Sequence, residues 1–367
     1  MDKIEWYRGF VPIAGYDNNQ ILGYKNGRLC KMLQNGRISD ICGFSNGLVG
    51  CIKESNRLLS RLFRTDIKSA CVLKTRDVYF FKNKVLYRYK DGTTNIEIIY
   101  KLEKEMSTPL NIVSAIENTG YQLLWGDYWG NLERKAVTLW GLLNDDSVVP
   151  VYKFPAGSVR HIHNIIPNEK RDGYYIFTGD NESDAGIYQA DVSFNCVEPI
   201  LVGTQLARAV QGFGTEEGLV YATDSVMEQN YICRLRKKNE CEWEQETVMP
   251  INGSCIYATQ MGNELFFSTT VESPEVNDGN RLKALLSTKR GAGIKTDNVE
   301  IVSIDSNFNS KIVASFKKDV WPYKLFQYGV VVFPPSQSED LLLYPVAVKK
   351  YDGKLGILSL REGVSNE

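Results

Sequence analysis

A turn residue followed by a short apolar strand recurs along this 367-residue chain, and this repeat constrains the fold more than any other feature. Successive copies start about 30 to 65 residues apart and mostly near 45, the period at which propeller blades recur. Helical periodicity is nearly absent, whereas β-branched and aromatic runs between Gly, Asn and Asp turns are typical of strands. The copies are NGLVGC from Asn46, RDVYFF from Arg76, TGYQLLWGD from Thr119, DGYYIFTGD from Asp172, EGLVYATDS from Glu217, NELFFSTTV from Asn263 and YGVVVFPPS from Tyr328.

The repeat predicts an all-β fold, a single β-propeller domain spanning residues 1–367 with about seven four-stranded blades, six or eight being the alternatives. A pair of β-sandwiches is the competing architecture, but sandwiches do not normally repeat at this interval. We expect each repeated strand to be the innermost of its blade and to line the central channel. The N-terminal hairpin NQILGYKNGRLCKML is expected to complete the last blade and close the ring.

Composition and charge exclude several classes of partner. The chain carries 43 basic and 44 acidic residues with no long basic run, so neither nucleic acid nor an anionic membrane is an expected partner. No run approaches the ~18 apolar residues of a spanning helix, and the N-terminal residues lack the apolar segment of a secretory signal. The eight cysteines are scattered without a CxxC pair, which indicates reduced thiols and a cytoplasmic protein.

Three of the repeated strands run into an aspartate, at Asp127, Asp180 and Asp224. If these strands are equivalent, the three carboxylates lie at one rim of the propeller. Clustered carboxylates raise one another's pKa or attract a cation, and both effects are useful in a binding or catalytic site. The structural alternative is that each aspartate caps its own turn through nearby backbone N–H groups.

Arginines precede two of these repeats, at Arg160 and Arg208. The guanidinium group presents a planar fork that suits carboxylates or sulfates, so two arginines from adjacent blades could hold an acidic sugar. Alternatively, each arginine pairs with an aspartate of the rim.

Polar and aromatic residues follow the same edge in three successive blades. Aromatic faces stack on sugar C–H groups and amides bind hydroxyls, so this composition indicates a carbohydrate site; ordinary solvated loops are the alternative. The candidate substrate-binding residues are Asp127, Tyr128, Trp129, Asn131, Arg134, Arg160, Asn181, Arg208, Gln229 and Asn230, with Glu228 as an additional catalytic carboxylate.

Both histidines of the chain, His161 and His163, lie two residues apart in one predicted strand. This spacing places the two imidazoles on one face of a regular strand and Arg160 on the other. The pair could bind a divalent cation with a rim carboxylate, or one imidazole could act as a base near neutral pH. The alternative is a strand whose polar residues happen to be histidines. Asp180 is the preferred carboxylate partner.

The segments WGDYWGNLER, FPAGSVRHIHNI, YYIFTGDN and YATDSVMEQNYI resemble the sialidase-like, BNR-repeat β-propellers, in particular a bacterial group described as glycosyl-hydrolase-like. The resemblance covers about residues 119–272. It implies a carbohydrate substrate and an arginine cluster that Arg160, Arg208 and Arg134 could supply. The Asp-box of that family is at best degenerate here, in QADVSFNCVEPI.

These observations favour a carbohydrate-active enzyme, glycoside hydrolase-like or polysaccharide lyase-like, acting on an acidic or polar glycan at the mouth of the channel. The candidate catalytic residues are His161, His163, Asp180, Asp224 and Glu228. A glycosidase would use two rim carboxylates, whereas a lyase would need a base beside a uronate carboxylate. The alternative function is a non-catalytic propeller that binds a glycan or another protein.

Overall fold

A computed structural model describes residues 4–33, 35–43, 47–67, 69–168, 170–239, 242–274 and 281–359. Within these ranges the strands form seven four-stranded antiparallel sheets, which are the blades of one propeller. This confirms the predicted fold class and selects seven blades over six or eight. None of the described helices is both long and apolar enough to cross a membrane.

Six blades consist of four consecutive strands each. Their strands are β2 (Val11–Gly15), β3 (Ile21–Lys25), β4 (Arg28–Met32) and β5 (Ile38–Gly43); β6 (Ala70–Val72), β7 (Val78–Lys82), β8 (Val85–Tyr89) and β9 (Glu97–Lys101); β10 (Val113–Ser114), β11 (Tyr121–Gly126), β12 (Val137–Leu143) and β13 (Val148–Phe154); β14 (Ile162–Pro167), β15 (Gly173–Thr178), β16 (Gly186–Asp191) and β17 (Val197–Val202); β18 (Ala209–Thr215), β19 (Gly218–Thr223), β20 (Asn230–Lys237) and β21 (Trp243–Ile251); β22 (Cys255–Met261), β23 (Glu264–Thr269), β24 (Asn298–Ile304) and β25 (Ser310–Lys317).

The seventh blade combines the two ends of the described chain. It contains β26 (Val330–Val332), β27 (Asp340–Val346), β28 (Leu355–Ser359) and, as its outermost strand, β1 (Glu5–Tyr7). Strand β1 pairs with β28 in the register Trp6 to Gly356, so the N-terminal strand closes the ring. The hairpin predicted to close it is instead β3–β4, in the middle of the first blade.

The repeated motifs mark the second strand of most blades, not the innermost strand. Strands β7, β15 and β19 are buried along their whole length, because neighbouring blades pack on both of their faces. The strands before them, such as β14, β18 and β22, contact one another around the centre of the ring. The predicted placement of the motif strands was therefore wrong, except for YGVVVF, which contains the innermost strand β26.

Helices are short and are confined to connections between strands. Helices α1 (Gly47–Lys53) and α2 (Arg57–Phe63) join the first blade to the second, α3 (Arg281–Leu285) lies between β23 and β24, and α4 (Tyr323–Phe326) precedes β26. A 3₁₀ turn covers Gln205–Ala207. The first motif, NGLVGC, was predicted as a strand but forms α1, while its first residue, Asn46, lies outside the described residues.

In each blade, the described connection between the second and the third strand lies on one face of the propeller. The described connections between blades lie on the same face, which we call the upper face. Asp127, Asp180 and Asp224 follow the ends of β11, β15 and β19 and therefore lie on this face, as their spacing predicted. Six cysteines are free thiols in the described part of the chain.

Candidate functional site

His161, His163 and Asp180 form a compact cluster at the upper end of the fourth blade, which we call the HHD cluster. The Nε2 atoms of the two imidazoles lie 3.0 Å apart. His161 Nε2 lies 3.3 Å from Asp180 Oδ2, and His163 Nε2 lies 3.3 Å from Asp180 Oδ1. Both imidazoles are buried, with 2% and 3% of each residue exposed. Three potential ligand atoms of buried or half-buried side chains therefore converge on one point.

Strand irregularity brings the histidines and Arg160 to the same point. Strand β14 begins only at Ile162, so Arg160 and His161 precede the regular strand. A β-bulge lies between Ile162 and Asn164, and His163 is its additional residue. The bulge changes the alternation of side chains at His163, and Arg160, which lies outside the regular strand, reaches Asp180 Oδ2 with its Nη1 at 3.0 Å.

Asp180 is positioned by the turn between β15 and β16. Gly179, immediately before it, has a φ of +73°, and a Cβ atom there would lie 2.0 Å from the carbonyl oxygen of Asp184. Only glycine fits this conformation and this close approach. Asp184 Oδ1 then accepts hydrogen bonds from the backbone N–H groups of Asp180 and Asn181, at 2.9 and 2.8 Å. The Asp180 carboxylate is therefore held toward the histidines by its own loop.

Backbone carbonyls fix the tautomer of both histidines. His161 Nδ1 lies 3.0 Å from the carbonyl oxygen of Trp129, and His163 Nδ1 lies 2.8 Å from that of Ala209. A carbonyl only accepts, so each Nδ1 carries the proton and each neutral imidazole presents an Nε2 lone pair to the cluster. Such an N–H to carbonyl bond is the usual outer support of a metal-binding histidine.

Two lone pairs and a carboxylate that face one another at about 3 Å require a positive ion between them, either a proton or a metal. Ligands bound at about 2.1 Å and separated by 90° to 109° about one ion lie about 3.0–3.4 Å apart. The 3.0 Å between the two Nε2 atoms lies in this range, and each Nε2 atom lies 3.3 Å from a different carboxylate oxygen of Asp180. Among the described residues, His161, His163 and Asp180 form a group whose ligand atoms lie close enough together to hold one metal ion.

Electrostatics favour an ionised carboxylate at Asp180 and a neutral imidazole at His163. Burial raises the pKa of Asp180, but the interactions with His161 and His163 outweigh burial and hold this pKa well below its usual range. Burial lowers the pKa of His163, which keeps that imidazole neutral near pH 7. A neutral imidazole and an ionised carboxylate are the forms that bind metals.

Two arginines and a tyrosine surround the cluster. Arg208 donates from Nη1 to the backbone carbonyl of Asp180 at 2.9 Å, its Nη2 lies 3.8 Å from Asp180 Oδ1, and its Nε lies 3.9 Å from Asp224 Oδ2. The Tyr128 ring packs on His161 with 4.6 Å between ring centroids. Burial, followed by the charges of Asp180 and Asp224, raises the pKa of Tyr128, so its phenol is protonated. Arg208 therefore connects the HHD cluster to Asp224.

Other predicted site residues lie near this face but organise loops. Asp127 accepts hydrogen bonds from the Thr138 N–H and from Trp140 Nε1, both at 2.8 Å, as expected of a turn cap. Asn131 donates to the Arg160 carbonyl at 2.8 Å and so holds the segment that enters the cluster. The Trp129 ring packs in the core between blades, while its carbonyl supports His161.

The remaining predicted residues make their described contacts elsewhere in the loops of this face. Arg134 pairs with Asp184 at 3.3 Å, and Asn230 and Gln229 bind backbone groups of their own loop and of β21. Asn181 and Glu228 have exposed side chains. Their roles in binding or catalysis stay predictions.

One residue of the site was not identified from the sequence. Burial raises the pKa of Tyr328 well above its ordinary value. Electrostatic interactions with Tyr257, Glu272, Tyr128 and Asp224 raise this pKa further. Tyr328 is therefore close enough to Tyr128 and Asp224 for electrostatic interaction with them. It lies two residues before innermost strand β26, while His161 lies directly before β14, and this placement ahead of an innermost strand is the signal that could have found it.

We expect the metal-free protein to lose stability on acidification because of His163. Its pKa is lowered in the folded state, so the unfolded chain takes up the proton first. The stabilisation is complete above the unfolded value of about 6.5 and declines as the pH falls from there toward the lowered folded value, by at most about 1.4 kcal/mol per pH unit. Urea unfolding between pH 5 and 8 in the presence of a chelator measures this change in the free energy of unfolding. An unchanged pH slope in His163→Gln would contradict this assignment.

Comparison with known proteins supports the fold. Neither a known protein family nor a curated protein matches the sequence. Among solved structures, virginiamycin B lyase from Staphylococcus aureus matches with a TM-score of 0.57 and 11% identity, over 98% of this chain and 100% of that chain. An oligogalacturonate lyase in complex with manganese matches with a TM-score of 0.52 and 8% identity, over 98% and 91%.

Propellers of a different kind match equally well. The WD40 propeller domain of Doa1 has a TM-score of 0.52 and 9% identity, over 99% of this chain and 97% of that chain. At such low identity these similarities establish a seven-bladed β-propeller and no particular activity. The sialidase-like, BNR-repeat resemblance finds no specific support among them. What the protein does must therefore be inferred from its own site.

Proposed function

We propose that this protein is a metal-dependent lyase of an acidic glycan and that the HHD cluster is its metal site. The convergence of two Nε2 lone pairs and the Asp180 carboxylate, with both Nδ1 atoms committed to backbone carbonyls, is the observation that carries the proposal. Two imidazoles and one carboxylate suit a first-row divalent ion such as manganese or zinc, and three protein ligands leave coordination positions for a substrate.

Arginines beside the cluster favour a substrate that carries a carboxylate. Arg160 and Arg208 both approach Asp180, so two guanidinium groups and the ion would give this end of the channel an excess of positive charge. A uronate carboxylate fits the planar fork of either arginine. Tyr128, protonated and packed on His161, offers a ring face and a hydroxyl to a sugar ring.

Carboxylate binding at this point suits β-elimination. A bound ion would bind the substrate carboxylate and neutralise the negative charge that develops when the neighbouring carbon loses its proton. In that reaction a base takes this proton, a carbon–carbon double bond forms, and the glycosidic C–O bond breaks with its electron pair leaving on oxygen. We assign the base to Asp224, because the histidines are committed to the ion and Arg208 places Asp224 next to the cluster.

The similarity in fold to an oligogalacturonate lyase in complex with manganese is compatible with this proposal and names the first substrate to test. A glycosidase of the sialidase-like kind is less favoured, because it has no need of a bound cation and because Asp127 is committed to its own turn. A propeller that binds glycans without turnover is the remaining alternative, and the experiment separates it from an enzyme.

We expect the manganese-loaded protein to release unsaturated products from oligogalacturonate, followed by ultraviolet absorbance of the new double bond. Asp224→Asn should lower the turnover about a hundredfold or more and leave the metal content unchanged, because it removes the base and no ligand. Glu182→Gln, an amide substitution of an exposed side chain on the same face, is the control and should retain activity. A protein that binds manganese and oligogalacturonate but forms no product would be a binder, and the lyase assignment would be wrong.

A further inference from the structure

A second cavity opens on the upper face at the seam where the first and seventh blades meet, and we call it the seam pocket. It has a volume of about 500 Å³ and shares no residue with the HHD cluster. Its wall comes from the segment before β2, the β3–β4 turn, the start of α2 and the β27–β28 loop. A cavity of this size accommodates a small molecule.

Positive charge dominates the wall of the seam pocket. Five cationic and three anionic side chains line it, but each of the three carboxylates already has a cationic partner. Asp66 and Asp352 pair with Arg57, at 2.7 and 3.0 Å, and Glu54 pairs with Lys82 at 2.8 Å. The other lining cations, which form no ion pair among the described residues, are Arg8, Lys25, Lys350 and Lys354.

Five cationic against three anionic side chains leave this concave surface with an excess of positive charge, which a multiply charged anion would neutralise. The Nζ atoms of Lys350 and Lys354 lie over the Tyr351 ring, 5.1 and 5.2 Å from its centroid. Lysine binds phosphoryl groups as a point charge, and three of the four cations are lysines from two different blades. The wall also carries the rings of Phe10 and Tyr24 and the hydroxyls of Ser60 and Thr65, which suit the body of a small organic molecule.

We propose that the seam pocket binds a phosphorylated small molecule, with its phosphoryl groups held by Lys25, Lys350 and Lys354. Such a ligand bridges the first blade, through Lys25, and the seventh, through Lys350 and Lys354. Because the ring closes where the first and seventh blades meet, and β1 completes the seventh blade, a bridging ligand stabilises the closed ring. Binding therefore raises the thermal stability of the protein.

Inorganic pyrophosphate is the probe, titrated by calorimetry into the metal-free protein so that chelation of a metal does not contribute. The wild-type protein should bind it saturably and unfold at a higher temperature in its presence. The double variant Lys350→Gln/Lys354→Gln should bind at least about tenfold more weakly, because two charge-assisted contacts are removed. Lys349→Gln/Lys317→Gln removes the same charge from two exposed lysines outside the pocket and should bind as the wild type does.

Two outcomes would overturn the proposal, namely no saturable binding of pyrophosphate by the wild type, or equal weakening in both double variants. His163→Ala should bind pyrophosphate as tightly as the wild type. This last measurement keeps the seam pocket separate from the metal site, so that either proposal can fail without the other.

Discussion

His163→Ala is expected to bind a divalent ion at least about a hundredfold more weakly than the wild-type protein. The substitution removes one of three converging ligands and leaves only His161 Nε2 and the Asp180 carboxylate, which lie 3.3 Å apart. Loss of an outer supporting contact of a metal ligand already weakens binding by about 10- to 100-fold, and loss of the ligand itself costs more. Elemental analysis after dialysis against a defined manganese or zinc buffer measures the stoichiometry, and competition with a chelator measures the affinity.

Asp180→Asn tests the carboxylate ligand, and the same loop provides its control. Glu182 has an exposed side chain two residues away, so Glu182→Gln makes the same chemical change outside the cluster and should keep one ion per chain. Circular dichroism verifies that each variant is folded. Retention of a stoichiometric ion by both His163→Ala and Asp180→Asn, or absence of bound ion in the metal-loaded wild type, would remove the metal site and with it the proposed lyase.

The repeat in the sequence predicted the propeller because the second strand of each blade carries the strongest apolar pattern. Strands such as β15 and β19 are buried on both faces between blades, so they appear as continuous apolar runs at the blade interval. The innermost strands are short or irregular, for example β10 with two residues and β14 with its bulge. This difference explains why the motifs revealed the fold yet were assigned to the wrong position within each blade.

The HHD cluster was only partly predictable. Their spacing identified His161 and His163 as a pair. Asp180 was added because it follows a repeated strand at the predicted rim of the propeller. Strand alternation, however, placed Arg160 on the opposite face, and neither the bulge at His163 nor the late start of β14 has a recognisable local signal. The carbonyl partners of the two imidazoles come from Trp129 and Ala209 on neighbouring blades, and such contacts depend on how blades pack.

The same limit applies to Asp127 and to the first motif. Asp127 follows its strand as Asp180 does, but Trp140 on the next strand binds it, so an equivalent position in the sequence carries a different function. NGLVGC has the composition of a strand, but it lies in the connection that contains α1 and α2. In both cases tertiary contacts determined the structure, and local sequence propensity does not predict such contacts.

Arg61→Met is expected to lower the free energy of unfolding by about 3 kcal/mol. Arg61 lies in α2 with only 2% of its surface exposed. Its Nη1 lies 2.6 Å from Asp319 Oδ2 and 3.4 Å from Asp352 Oδ2, and its Nε donates to the Phe326 carbonyl at 2.8 Å. It therefore ties the connection between the first two blades to the sixth and seventh blades.

Breaking a buried ion pair by removing one partner costs about 3–5 kcal/mol, since the other charge stays buried without compensation. The lower end of this range applies here, because Asp319 keeps Lys318 at 2.5 Å and Asp352 keeps Arg57 at 3.0 Å. Arg64→Met, at the end of the same helix, is the control: Arg64 is exposed and donates one hydrogen bond of 3.3 Å to the Lys324 carbonyl. Its substitution should change the free energy by about 0.5 kcal/mol or less. Equal unfolding midpoints in urea for both variants would show that the contacts of Arg61 in α2 do not stabilise the closed ring.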